Sequence, residues 1–150
     1  MANKYDVYYQ GIPEADINSM RFFTFGFKRS VGIRGPQKLI LQWLKRLMTP
    51  KGSDPTNVET GTDFPALIGS NISSMADVRD VVLLAIDDCS SQMRKIQRVT
   101  MPDEDEMLLS ATLTSFEATG DDGFDAWVTI SNVKGTELAV NLPSLSTRSA

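Results

Sequence analysis

The C-terminal third of the chain alternates apolar and polar residues with a period of two, which is the pattern of strands that bury one face. Gly120 to Gly123 and Lys134-Gly135 separate the apolar runs and have the composition of turns. We therefore expect a three-stranded antiparallel β-meander, and Pro143 should end its last strand. The apolar positions are Leu109, Ala111 and Leu113, then Ala126, Val128 and Ile130, then Leu138, Val140 and Leu142.

Two earlier segments carry apolar residues at spacings of three and four, which predicts amphipathic helices. The first should begin at Gly35-Pro36 and run over 36–48, since proline is well suited to the first helical position. Its apolar stripe is Leu39, Ile40, Trp43, Leu44 and Leu47, and the residues expected to face outward are Lys38, Gln42, Lys45 and Arg46.

The second helix should begin at Ser73 or Ser74 and continue for about 22 residues. Cys89 lies on its apolar stripe, so we expect a buried, neutral thiol that is a poor nucleophile. The fold class predicted from these patterns is α+β, with two main helices packed on a C-terminal antiparallel β-meander and an extended N-terminal arm or strand.

The N-terminal region lacks a helical stripe. Three tyrosines, Tyr5, Tyr8 and Tyr9, precede a segment at 20–31 in which phenylalanines recur with a period of two, and that spacing favours a strand. We divide the chain into an N-terminal arm and strand (1–34), an α+β domain (35–143) and a flexible tail (144–150). Residues 49–72 are rich in proline and glycine, which suggests a packed functional loop with a helical turn near 65–69.

The residue types present exclude most enzyme chemistry. The chain has no histidine and one cysteine, so it cannot form a Ser-His-Asp or Cys-His pair, a disulfide within the chain or an ordinary zinc site. The acidic run 103–106 lacks the spacing of a calcium loop, and we interpret it as solvated. We expect no enzyme, catalytic residue, cofactor or metal. A carboxylate-dependent muralytic hydrolase stays as an alternative, with Glu59, Asp63, Asp87 and Asp88 as its candidate acids.

The net charge of −4 argues against general affinity for nucleic acid or for an anionic membrane. The charge is divided unevenly, because residues 1–50 carry +5 and residues 51–150 carry −9. Halves of opposite sign either neutralise each other within the fold or face different partners in an assembly. The start of the chain lacks an apolar leader, and no apolar run is long enough to span a membrane, so we expect synthesis in the cytoplasm.

The last predicted strand is a candidate binding edge. It carries one charged residue, Glu137, whereas natural edge strands are usually protected by charge, bulges or proline. Such an edge can accept an extended segment from another chain. The alternative is that the segment 20–31 covers it internally. The candidate edge is Thr136, Glu137, Leu138, Ala139, Val140, Asn141 and Leu142.

The order of short motifs resembles the gene-product-twenty-five-like wedge family, the sheath initiators of contractile phage tails with relatives in type VI secretion baseplates. In that family a helix leads to a leucine-threonine-x-x-glycine turn, an irregular stretch and a glycine-threonine turn, followed by a long helix and strands. The matching segments are 35–40, 47–53 (Leu-Met-Thr-Pro-Lys-Gly-Ser) and Gly61-Thr62-Asp63-Phe64. The family commonly has a Glu-Pro-Arg triplet at the end of the long helix, where this chain has Gln92-Met93-Arg94.

The resemblance implies a virion protein that docks on the wedge core of a tail baseplate and templates sheath assembly through its C-terminal sheet. It implies as partners the tail sheath protein and baseplate wedge proteins, with the tail tube as a further candidate, in multiple copies around a symmetric assembly. The residues implied for wedge docking are Gly61, Thr62, Asp63, Phe64 and Arg94, and the tyrosines of the arm would grip a neighbour. The alternative structural role is a tail or neck component without sheath contact.

Overall fold

The computed structural model of the protein describes residues 19–20, 34–67, 74–119 and 123–142. Two helices lie in this part of the chain, α1 (Pro36–Leu47) and α2 (Met75–Thr100), with a short 3-10 helix (Phe64–Leu67) between them. Four strands are present: β1 (Ser19–Met20), β2 (Leu108–Thr119), β3 (Gly123–Asn132) and β4 (Glu137–Leu142). The predicted α+β class is confirmed, and the elements from Pro36 to Leu142 share one core.

Helix α1 begins where the Gly-Pro pair predicted and ends one residue before the expected limit. The predicted apolar stripe from Leu39 to Leu47 is buried in the core. Gly35 has no side chain with which to cap this helix, and its N–H instead donates to Oε1 of Glu106 at 3.1 Å. The helix start therefore depends on a carboxylate that lies 71 residues away in sequence.

Helix α2 begins at Met75, and the Ser74 side chain caps it by accepting from the N–H of Ala76 at 3.2 Å. It runs about one turn beyond the predicted end and stops at Met101, which adopts the left-handed conformation with a φ of 45°. Cys89 is buried as predicted and its thiol donates to the Trp43 carbonyl at 3.1 Å, which joins the two helices.

The sheet has the strand order β1-β4-β3-β2. β2, β3 and β4 pair antiparallel, which confirms the predicted meander, while β1 pairs parallel to β4. The turn between β3 and β4 is closed by Gly135 N–H donating to Asn132 O and Asn132 N–H donating to Thr136 O, both at 3.0 Å. Gly135 has a φ of 93°, which suits the left-handed position of such a three-residue hairpin loop.

Strand β2 differs from its predicted alternation because it contains two β-bulges. The register with β3 shifts between Leu108 and Ser110 and again between Leu113 and Ser115. Leu109 is thus an extra residue that is 55% exposed, and Leu108 takes the core position expected for it. Ala111 and Leu113 do pack against the core, as predicted. A strict period of two cannot anticipate an inserted residue, which moves all later side chains to the other face.

A buried polar cluster corrects two further expectations. Lys38, predicted to face outward, is only 7% exposed and its Nζ lies 2.6 Å from Oε2 of Glu106, itself 8% exposed. Glu106 therefore does not belong to a solvated acidic loop. Gln97 extends the cluster by donating to Glu106 O at 2.9 Å and accepting from Leu108 N–H at 2.8 Å. Each member buries a polar group with a partner, which avoids the cost of an unsatisfied one.

Candidate functional site

The candidate edge at Thr136–Leu142 is held in the sheet by β3 along the whole of β4. Leu138, Val140 and Leu142 are buried in the core, so they are unavailable to a partner. Glu137 is exposed, and the half-buried Asn141 donates through Nδ2 to Oδ1 of Asp125 at 2.7 Å. What β4 can offer a partner is therefore its backbone, together with the side chains of the opposite face.

This edge is partly covered from within the chain. Ser19 lies opposite Ala139 and Met20 opposite Val140, in a parallel pairing of two residues. Of the two alternatives that the sequence left open, internal cover is thus realised at these two positions. The covering residues begin one position before the predicted strand 20–31, of which residues 21–31 lie outside the described part. Tyr5, Tyr8 and Tyr9 also lie outside it.

The predicted docking residues Gly61 and Thr62 anchor the loop that follows α1. Both backbone groups of Gly61 are hydrogen-bonded to the Gln92 side chain. The Gly61 N–H donates to Oε1 of Gln92 at 3.0 Å, and the Gly61 carbonyl accepts from Nε2 of Gln92 at 2.8 Å. The Thr62 hydroxyl donates to Leu47 O at 2.7 Å, and its N–H donates to Thr49 O at 2.9 Å. These bonds fasten the end of the loop to both helices.

Phe64 lies in the same core, where its ring meets that of Phe124 edge to face with centroids 6.4 Å apart. Of the motif Gly61 to Phe64, only Asp63 is exposed. The assignment of Gly61, Thr62 and Phe64 as direct contacts to a partner is therefore corrected. Their buried side chains and satisfied backbone position the loop, and the loop presents other residues.

The presented segment is 51–59, whose residues are mostly exposed. Asp54 accepts from the N–H and the hydroxyl of Thr56 at 2.8 and 2.6 Å, and these bonds lower the pKa of its carboxyl. Asn57 forms a similar turn by accepting from Glu59 N–H at 3.2 Å. Val58, 65% exposed, lies within the second of these turns. The loop thus holds its shape through its own hydrogen bonds.

Arg94 is on a different side of α2. Residues two apart on a helix point about 200° apart, so Gln92 faces the loop while Arg94 faces β2. Nη2 of Arg94 donates to the carbonyl of Leu109 at 3.0 Å, at the first bulge. The structure therefore does not bring Arg94 together with the Gly61 motif. Its observed contact is internal, and its exposed guanidinium retains donors for other acceptors.

Gln92 is a positioning residue that was not among the predicted site residues. It occupies the first place of Gln92-Met93-Arg94, where the family triplet has glutamate, and that correspondence was the available signal. An amide side chain can accept from Gly61 N–H and donate to Gly61 O at once, whereas an ionised carboxylate can only accept. The contact spans 31 residues, so local periodicity could not reveal it.

Two titratable groups near the core have shifted pKa values. Burial raises the pKa of the Cys89 thiol to about 12, which keeps it neutral. Burial also lowers the pKa of Arg46, with an opposing effect from the nearby Cys89. Among residues 19–20, 34–67, 74–119 and 123–142, no three acidic or cysteine side chains are grouped so as to hold a metal ion.

Comparisons with protein-family models, with curated proteins and with solved structures return no match. Neither α1 nor α2 is long and apolar enough to cross a membrane.

Proposed function

We propose that this protein is a structural subunit of the baseplate of a contractile phage tail, which docks on the wedge core and templates the sheath by accepting its strands. The observation that carries the proposal is β4, a strand with one charged side chain whose outer edge is paired at two of its six residues within the described part of the chain. An edge with unpaired amides and carbonyls is a template for another strand. The resemblance of the motifs at 35–64 supplies the identity of the assembly.

Strand addition at β4 is compatible with the fold because β4 is held independently of its partner. Every residue from Glu137 to Leu142 pairs with β3, and alternate side chains are anchored in the core. A strand that arrived at the outer edge would extend the sheet without repacking it. This is the usual geometry of β-augmentation, in which main-chain hydrogen bonds supply the affinity.

Docking on the wedge falls to the loop 51–59 with Asp63, rather than to the buried part of the motif. The loop is attached to α1 through Thr62 and to α2 through Gln92, so its conformation is set before a partner arrives. A preformed loop loses little conformational entropy on binding, which favours a stable contact. The acidic side chains of Asp54, Glu59 and Asp63 predict a wedge surface with basic character.

The test is a proline at Ala139. Antiparallel alternation counted from the Asn132–Thr136 pair directs the backbone groups of Ala139 away from β3. Ala139→Pro should therefore remove an outward donor and spare the β3 ladder, while Ala139→Val is the control that keeps the donor at the same position. We expect baseplates carrying Ala139→Pro to lose sheath initiation in electron micrographs and those carrying Ala139→Val to keep it.

Folding of both variants is checked by circular dichroism and thermal unfolding. Normal sheath growth on folded Ala139→Pro would contradict the proposal and would favour the tail or neck component that makes no sheath contact.

A further inference from the structure

The two edges of the sheet are built differently. At the β2 edge, the strand is bent by bulges at Leu109 and Thr114, and a side-chain hydrogen bond stabilises each bulge. Arg94 donates to Leu109 O, and the Thr114 hydroxyl donates to Trp127 O at 3.0 Å. Bulges bend and twist an edge strand, so they interrupt the regular ladder that an added strand needs. The β2 edge is thereby protected against the addition of another strand.

The β4 edge lacks such bulges. β4 pairs with β3 in unbroken register from Glu137 to Leu142. Counting outward from the hairpin, the backbone groups of Glu137, Ala139 and Asn141 face the outer edge. Among the described residues, only Ser19–Met20 pairs there, opposite Ala139 and Val140. This described pairing covers a third of the edge that can receive a strand.

The described core contacts of β4 do not run through β1. β1 joins in the plane of the sheet, whereas Leu138, Val140 and Leu142 point out of that plane into the core. The loss of β1 exposes backbone donors and acceptors and leaves the apolar packing of β4 in place. A net hydrogen bond changes an equilibrium constant by about fivefold, so the pairing described at these two positions is weak on its own.

We propose that Ser19–Met20 is a displaceable strand, which covers the binding edge of β4 in the free protein and leaves when an extended segment of the sheath protein adds there. The identity of the incoming segment rests on the proposed function. A segment that pairs from Glu137 to Leu142 gains more ladder bonds than β1 provides, so it replaces β1 once it is held nearby. Until then, β1 limits pairing between the edges of unassembled copies.

The test uses a reversible lock between the paired positions. Cysteines at directly opposed strand positions are within disulfide reach, because neighbouring strands lie about 4.8 Å apart. Full-length protein with Ser19→Cys and Ala139→Cys is compared oxidised and reduced, so the reduced form is the control. The native Cys89 is fully buried and does not compete for the new thiols. Met20→Pro gives the opposite change, since proline removes the β1 donor at that position.

Two measurements are made on each form. Hydrogen exchange, measured without any partner, should be about tenfold faster at the Ala139 and Asn141 amides in Met20→Pro than in the parent, while β3 amides are unchanged. Sheath assembly uses purified sheath protein of the same phage added to baseplates. The locked form should initiate at least about tenfold fewer sheaths than its reduced form, and Met20→Pro should match or exceed the parent.

The outcomes separate this inference from the function on which it rests. Equal initiation by locked and reduced forms, or unchanged exchange in Met20→Pro, would show that β1 is not a displaceable cover. If no form initiates sheath but exchange responds as expected, the cover stands and the sheath role is rejected.

Discussion

Replacement of Lys38 by methionine should destabilise the fold strongly. The substitution keeps most of the apolar stem but removes the ammonium that lies 2.6 Å from Oε2 of Glu106. The carboxylate would then stay buried with the Gly35 N–H, 3.1 Å from Oε1, still donating to it. A buried charge that loses its ion-pair partner costs about 3 to 5 kcal/mol. That is a large share of the roughly 5 to 15 kcal/mol that separates the folded from the unfolded state of a typical domain.

The assay is urea unfolding followed by circular dichroism, with the free energy of unfolding compared at constant slope. Lys45→Met is the matched control, because Lys45 is an exposed lysine on the same helix and should cost less than about 0.5 kcal/mol. The double variant with Glu106→Gln removes both charges and keeps an acceptor for Gly35. We expect it to lose only about 1 to 3 kcal/mol, less than Lys38→Met alone.

A loss in Lys38→Met no greater than in Lys45→Met would refute this account of the buried pair. Losses that simply add in the double variant would show that the two side chains do not act on each other.

Two further variants test the loop anchor and the core thiol. Gly61→Ala should lower the free energy of unfolding in urea by about 2 to 5 kcal/mol, because φ is 104° and a Cβ would lie 2.5 Å from Thr49 O. The control Gly52→Ala, at a φ of 79° with open space around the position, should lower it by only about 1 to 2 kcal/mol. Equal losses would count against the steric argument. The raised pKa of Cys89 means that the unfolded chain loses its thiol proton first as the pH rises above 9, so the free energy of unfolding should fall between pH 9 and about 12, by at most about 1.4 kcal/mol per pH unit. Alkaline unfolding curves of the parent should show this fall and those of Cys89→Ser should lack it, and a parallel pair of curves would contradict the assignment.

The elements whose signal is local were predictable from the sequence. Pro36 set the start of α1, Ser74 the cap of α2, and the alternation in β3 and β4 the buried face of each strand. These depend on propensities and periods that act within a few residues. The end of α2 was missed because its last turns are stabilised by Gln97, whose partners Glu106 and Leu108 lie in the following loop and strand.

The polar core and the covered edge could not be predicted in the same way. Periodic patterns treat Lys38 and Glu106 as surface residues, because a charge is assigned outward unless its partner is known. That partner lies 68 residues away. The predicted strand 20–31 includes Met20, but its position in the sheet could not be predicted, because the pairing of Ser19–Met20 with Ala139–Val140 spans 120 residues. At the candidate site, the alternation predicted the strand β4 and its buried face, but only the fold shows which of its backbone groups point away from β3.

The two bulges in β2 have a consequence for how the length of this strand can change. The positions of β2 that pack against the core switch from even to odd numbers and back at the bulges. They are Leu108, then Ala111 and Leu113, then Phe116. Deletion of Leu109 or Thr114 would remove the bulge at that position and leave each remaining side chain on its present face. Deletion of Thr112 would instead turn the side chains on one side of the deletion to the opposite face of the sheet. A one-residue gap in related strands is therefore expected at 109 or 114 and nowhere between them.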